Sequence, residues 1–294
     1  MALQPYRKST VLRLLPSFIS SSQLLVSISA EGIATIYQER GLRARIIEKK
    51  YVSFDPAMGA LSFQQIASEL DSLFAGMQIV PDVELHIILA SNFIRYLALP
   101  PQQIAMNSAE KAAYAQAAYR EIYGAVADDW EIKRDNVPPH HTAIVAAVDK
   151  SLLSALVQVS LKQQLKLMAI DPYLMGAFNR VSSQIDKNSD YLVIKEPLRL
   201  LLITLSNQQC TAIRAFAVGD DWQAELKRLM IRESFLQENS TRELLIYAPA
   251  HQDIALGNIE GWHIKRIDHS YKMQQHKPEF FNHTADFALL EAAL

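Results

Sequence analysis

The segment 143–181, AIVAAVDKSLLSALVQVSLKQQLKLMAIDPYLMGAFNRV, carries the reading of the fold. It lies just after Thr142, and Thr142–Val148 is an apolar run of strand length. Ser151–Lys166 is a strongly amphipathic helical pattern, Leu167–Ile170 returns to strand, and Pro172–Val181 is helical again. Strands alternating with helices in this way place the chain in the α/β class.

Working toward the N-terminus, Ser108–Tyr123 reads as a helix with Ser108 as its N-cap and Gly124 as its stop, followed by a strand at Trp130–Arg134. Phe93–Leu99 is a strand ended by Pro100-Pro101, and Val83–Ala90 is a nearly continuous apolar run, as expected of a strand covered on both faces. Ser62 opens a helix with Ile66, Leu70, Leu73 and Phe74 on one side. Before it, the apolar segments Thr10–Phe18, Gln23–Ala30, Ile33–Glu39 and Arg43–Phe54 are divided by serines and by Glu31-Gly32 and Arg40-Gly41, which predicts consecutive hairpins.

Toward the C-terminus, residues 182–189 (SSQIDKNS) are polar and form the best linker in the chain. The pattern then restarts. Tyr191–Lys195, Leu198–Leu205 and Cys210–Val218 are strands, Trp222–Gln237 a helix, Glu243–Ala248 and Trp262–Ile267 strands, and Thr284–Leu294 a closing helix. Strand pairs followed by helix and strand recur in both halves, without a sequence repeat.

Composition excludes several classes. Half of the 294 residues are hydrophobic and a fifth charged, the balance of a globular chain large enough for about two domains. A net charge of −2 gives no electrostatic footprint for nucleic acid. Cys210 is the only cysteine, which rules out an internal disulfide and a cysteine metal cluster. Arg7 and Lys8 ahead of Ile28-Ser29-Ala30 imitate a secretory leader, but Arg13, Pro16 and Ser20-Ser21-Ser22 interrupt the apolar stretch it would need. No run approaches the ~20 apolar residues of a membrane-spanning helix. The expected location is cytoplasmic.

The segment 143–181, with its strand, Ala-Val turn, long helix and aspartate-opened helix ending in Phe178-Asn179-Arg180, resembles the type IV pilus assembly family of PilM and the cytoplasmic domain of the type II secretion protein GspL. Residues 84–104, ELHIILASNFIRYLALPPQQI, resemble that family's strand pair running into Leu-Pro before a small inserted unit. The resemblance covers about residues 23–290. It implies an actin-like (ribonuclease H-like) two-domain α/β fold with mixed five-stranded sheets. Domain I would span 1–184, with an inserted subdomain at about 92–148. Domain II would span 189–283, and the helix 284–294 would return to domain I.

In that fold, hairpin turns carrying Asp-x-Gly hold the phosphates and metal of a nucleotide, glycine because backbone must approach closely and aspartate because a hard cation wants oxygen ligands. In residues 24–37 (LLVSISAEGIATIY) the positions matching Asp and Gly are Ser27 and Ser29. In residues 200–213 (LLLITLSNQQCTAI) they are Thr204 and Ser206. The adenosine-side turn, Gly-Gly in the family, falls at Ala248 and Pro249 in 244–251 (LLIYAPAH). Glu31 lies in the first turn, as a lone metal oxygen or as a solvated turn residue. The expectation is a degenerate nucleotide site, with no catalytic residue, no metal and no cofactor.

Phe93, Arg95 and Tyr96 stand on the strand entering the inserted unit. In PilM-like proteins the cleft there receives the cytoplasmic peptide of a membrane partner, which makes these three candidate anchors; the alternative is that they pack inside the strand's own core. Other patterns read as ordinary structure: Pro138-Pro139-His140-His141 as an exposed turn, Asp128-Asp129 and Asp220-Asp221 as turn or cap residues, and Cys210 as a core thiol. Lys227–Arg232 gives one helix a basic face, open to solvent, acidic lipid or an acidic partner. The expected function is a non-catalytic scaffold of a pilus or type II secretion-like apparatus, peripheral at the bacterial inner membrane. It would hold a PilN-like or GspL-like inner-membrane protein. The alternatives are an ATPase or small-molecule kinase with unusual loops, and a self-assembling homo-oligomer.

Overall fold

The computed structural model describes residues 21–40, 45–54, 62–102, 106–138, 140–236, 241–251, 257–267 and 287–290. A meander opens it: β1 (Ser21–Ile28), β2 (Gly32–Arg40) and β3 (Arg45–Ser53), each antiparallel to the next. Gly32 is required at the first turn, since a Cβ there would collide with the Val52 carbonyl and the Tyr51 ring. Helix α1 (Phe63–Ala75) starts at a capping box of Ser62 and Gln65 and buries Ile66, Leu70, Leu73 and Phe74. The chain then returns as β4 (Glu84–Leu89), parallel to β1.

Between β4 and the next strand of that sheet lies a detour. It holds β5 (Ile94–Leu99), α2 (Ser108–Tyr123), β6 (Trp130–Arg134) and β7 (Ala143–Asp149), with the three strands forming a separate sheet in the order β5-β7-β6. Tyr119 ties it together from α2, its hydroxyl donating to the carbonyls of Arg95 at 2.6 Å and Val145 at 3.0 Å. Helix α3 (Lys150–Lys162) leads to β8 (Lys166–Pro172), parallel to β4, and α4 (Tyr173–Val181) follows. The first sheet is thus β3-β2-β1-β4-β8.

The second half repeats this plan. Strands β9 (Ser189–Glu196), β10 (Arg199–Ser206) and β11 (Gln209–Ala217) form a meander, α5 (Trp222–Leu236) crosses, and β12 (Glu243–Tyr247) and β13 (His263–Arg266) run parallel to β9. The order β11-β10-β9-β12-β13 is that of the first sheet. Period-two alternation divides its side chains. Tyr191, Val193, Leu200 and Leu202 pack with Trp222, Leu226 and Met230 of α5. Leu192, Ile194, Leu201 and Ile203 join the buried cluster that contains Leu24, Val26, Leu85 and Phe178 of the first half. Leu289 and Leu290 belong to that cluster too, and Lys49 sits 5.5 Å over the Phe287 ring, so 287–290 lie against the first sheet.

Several sequence expectations need correction. The N-cap of α2 is Asn107, not Ser108, in a capping box with Glu110. Helix α3 stops four residues before the expected Lys166, because Lys166 is needed for the sheet: it pairs with Glu84 and its N–H donates to Val83. Gln164, at φ 55°, makes the reversal. The 182–189 segment is ordered. Ser182–Gln184 is a single 3-10 turn, Asp186 accepts from the Asn188 N–H and the Ser189 hydroxyl, and Ser189 already belongs to β9. The expected strand Thr10–Phe18 lies outside the described residues, as does the closing helix apart from 287–290.

One buried charge fixes α5 to the sheet. Glu233 accepts two hydrogen bonds from Arg214 of β11, at 2.8 and 2.6 Å, and one from the Tyr191 hydroxyl at 3.4 Å. Burial pushes its carboxyl up, but Arg214 and Arg232 outweigh that and hold it below the usual range. Arg214→Met should leave Glu233 buried beside only the more distant Arg232, a loss of about 3 kcal/mol. Urea denaturation checks this; an unchanged midpoint would mean that Arg232 suffices.

Candidate functional site

In open sheets with parallel strands, ligands bind beyond the carboxyl ends of those strands. In the first sheet that edge carries the β1–β2 turn and the exit from β4; in the second it carries the β9–β10 turn and the exit from β12. The two edges meet. Ser91, just after β4, donates its N–H to one oxygen of Glu196 and its hydroxyl to the other, both at 2.7 Å and across 105 residues of sequence.

Around that contact the structure gathers four elements. Ser29 closes the first turn: its hydroxyl oxygen accepts from the Glu31 and Gly32 N–H groups at 3.2 Å, and its own N–H donates to the Gly32 carbonyl. Ser27, two residues earlier, is buried in β1 opposite Ala34 and Ile88. From the second turn, Lys195 is buried and its ammonium donates to the Glu196 carbonyl at 2.7 Å. Burial lowers its pKa, opposed by the charges of Glu31, Glu196 and Asp220, which places the first turn in electrostatic reach of the second. At the exit of β12, Ala248 and Pro249 are buried. Pro249–His251 forms one 3-10 turn that seats His251 on Trp222, and burial with the nearby charges of Lys195 and Arg266 lowers the His251 pKa.

Thr204 and Ser206 do not belong to this group. β10 runs antiparallel to β9, so Thr204 lies opposite Tyr191 at the start of β9, whereas Arg199 lies opposite Glu196 at its end. The turn at Asn207 and Gln208, both at positive φ, is therefore on the far edge of the sheet. The counterpart of the first turn is Glu196-Pro197-Leu198-Arg199, between the first and second strands of the repeated plan. The signal that would have found it is strand order: a turn joining strands one and two in the first half predicts the same junction in the second. The corrected turn also lacks glycine. Pro197 has no N–H, and Leu198 takes the left-handed conformation (φ 55°) that glycine adopts without strain. It does contain a carboxylate, which the sequence reading missed.

That carboxylate is deeply buried. Burial raises the Glu196 pKa to about 7, offset in part by the two Ser91 hydrogen bonds and by the charges of Arg199 and Lys195. Tyr96 stands beside it. The Tyr96 hydroxyl makes no hydrogen bond of normal geometry among the described residues, and burial, then the Glu196 charge, raises its pKa well above the usual value. Tyr96 therefore faces inward and is no surface anchor. Phe93 is half-buried against the main cluster, and only Arg95 of the three faces solvent, its guanidinium near the carbonyls of Asn92 and Ile94. Burial, and then the charge of Arg95, depress the pKa of Arg199, against the pull of Glu196.

The remaining motifs take structural places. Asp128 pairs with Arg120 and Asp221 accepts from the Ala224 N–H at the start of α5. Burial pushes the Cys210 thiol up to about 12, leaving it protonated and inert. Among the described residues no group of three or more metal-ligating side chains occurs, Pro139 lying outside them.

Neither the protein-family models nor the curated proteins give a match to this sequence. Solved structures do. A PilM–PilN type IV pilus biogenesis complex aligns with a TM-score of 0.62 at 12% identity, over 94% of this chain and 98% of the other. The cytoplasmic domain of EpsL, an inner-membrane component of the type II secretion system of Vibrio cholerae, aligns at 0.54 and 12% identity, over 93% and 94%. A Bacteroides thetaiotaomicron protein of actin-like ATPase fold and unknown function aligns at 0.54 and 10% identity, over 80% and 85%. The chain has the actin-like ATPase fold.

Glu196 should leave a signature in the pH dependence of stability. A carboxyl whose folded pKa is raised contributes stability that is fully present below its unfolded value, near 4.5, and is lost as pH rises through about 7. The difference is on the order of 3 kcal/mol. Glu196→Gln keeps an oxygen for the Ser91 N–H and an amide donor for the Ser91 hydroxyl, but does not titrate. Urea midpoints between pH 5 and pH 8 should fall more steeply in the wild type than in this variant; parallel profiles would show that Glu196 does not titrate in the folded protein.

Proposed function

We propose that this chain is a non-catalytic scaffold of a type IV pilus or type II secretion-like apparatus. It would work on the cytoplasmic side of the bacterial inner membrane and hold the cytoplasmic segment of a PilN-like or GspL-like inner-membrane protein. The observation that carries the non-catalytic part is the state of the phosphate-facing edge. At its first turn Ser27, buried in β1, stands where a metal-holding aspartate would, and Ser29, at the glycine position, has its oxygen occupied closing the turn. Its second turn has proline and a left-handed leucine, and both oxygens of its carboxylate are engaged by Ser91. A metal at Glu196 would have to break those bonds and strip its own water shell inside a closed contact.

The scaffold part rests on shape. The fold follows nearly the whole length of a chain from a PilM–PilN complex, at 98% coverage, and of the EpsL cytoplasmic domain, at 94%. None of the helices among the described residues is long and apolar enough to cross a membrane, which fits a protein recruited by a partner that does. Phe93 and Arg95 remain the proposed anchors, now without Tyr96. Two measurements test the reading. Isothermal titration with Mg-ATP should give no heat at micromolar ligand, and micromolar binding would overturn the non-catalytic assignment. Co-purification with a single-span inner-membrane protein of the PilN or GspL type from the same cell should give a complex weakened about ten-fold by Arg95→Ala; no complex with any such protein or its cytoplasmic peptide would overturn the scaffold assignment.

A further inference from the structure

Helix α5 carries large apolar side chains on its outer side as well as its inner one. Its inner side is set by Trp222, Leu226, Met230 and Glu233, all buried. At 100° per residue the opposite pole falls on Arg228, Ile231 and Phe235, with Lys227 and Arg232 on its two flanks. Polar side chains are expected there. Instead Ile231 is 43% exposed and Phe235 80%, and Leu236, nearer the inner side at the end of the helix, is 66% exposed. The cations around them exceed the anions. Glu225 pairs with Arg228 at 2.5 Å, but Glu233 is buried and already holds two nitrogens of Arg214, leaving Arg232 at 3.5 Å from an occupied carboxylate. Arg232 lies over the Phe216 ring instead, at 5.5 Å. Asp220 and Asp221 sit at the other end of the helix.

We propose that this outer face of α5 seats the protein on the anionic headgroup layer of a lipid bilayer. Apolar side chains at the pole with cations beside them are the pattern that lies in a membrane interface: the apolar groups enter the acyl boundary while Lys and Arg stay among the phosphates. The surface is a convex helix pole from which Phe235 projects almost wholly into solvent. A planar fluid layer accommodates that shape, whereas an acidic protein partner would need a matching concavity. Lys227 and Arg232 supply the charge complementarity, each worth about five-fold in partitioning near an anionic surface, whereas Arg228 is paired with Glu225. The inference goes beyond the scaffold reading and stands without it, because it requires lipid alone.

Sedimentation with vesicles tests it. The full chain should pellet with vesicles of equal phosphatidylglycerol and phosphatidylcholine at low salt, stay in solution with phosphatidylcholine alone, and be released by 0.5 M NaCl, where the Debye length falls to a few ångström. Lys227→Ala should lower partitioning about five-fold. Phe235→Ser should lower it at least ten-fold, since it removes the most exposed apolar group. Both side chains are exposed, and an unchanged thermal midpoint confirms that the variants are folded. Three outcomes would overturn the proposal: no pelleting of wild type with anionic vesicles, undiminished pelleting of both Lys227→Ala and Phe235→Ser, or retention of wild type on an acidic polypeptide that Phe235→Ser loses while its pelleting with vesicles is unchanged, which would assign the face to a protein.

Discussion

Glu196 is a carboxylate removed from water, and much of the architecture follows from satisfying it. An unpaired buried charge costs several kcal/mol, so two strong donors must be supplied at fixed positions. Both come from Ser91. The turn that holds Ser91 is set from either side, with the Ala90 N–H on the Ile28 carbonyl and the Phe93 N–H on the Ala90 carbonyl. That turn also launches β5 into the three-stranded sheet. The same few residues therefore end β4, begin the inserted unit and bind the first sheet to the second.

The two five-stranded sheets share one strand order and differ in what they place at the meeting edge. The first offers a serine-closed turn of modest polarity. The second offers Lys195 and Glu196, adjacent in sequence and on opposite faces of the strand, with the lysine donating to the glutamate's own carbonyl. Lys195 is held by a backbone carbonyl and Glu196 by the N–H and hydroxyl of Ser91. The turn and strand end at this edge thus supply the polar contact that joins the halves.

Much of this was legible in the sequence. β6 matches its expected bounds, α1 buries the four residues its spacing selected, and Gly124, at φ 75°, stops α2 as expected. These are short-range signals, set by period and by turn chemistry. The misses depend on long-range pairing. Nothing local marks Lys166 as a strand residue; its partner Glu84 does, from a strand 82 positions earlier. Assigning the second phosphate turn to Thr204 and Ser206 followed a hairpin that is real but on the wrong edge, an error that only strand order exposes. For Tyr96 the sequence leaves a surface anchor and a core position both open, and the alternation of β5 puts it on the inside. That Glu196 would find its donors on Ser91 is a three-dimensional fact with no trace in the sequence near either residue.

The buried cluster that runs without a break from β1 and α4 into β9, β10 and β12 has a mechanical meaning. A clamshell enzyme needs a hinge, a place where two halves part without exposing hydrocarbon. Here parting the halves would wet Leu192, Ile194, Leu201 and Ile203 all at once. An opening motion between the sheets therefore carries a cost that grows with the hydrocarbon it wets, and the shared core works against it at every step.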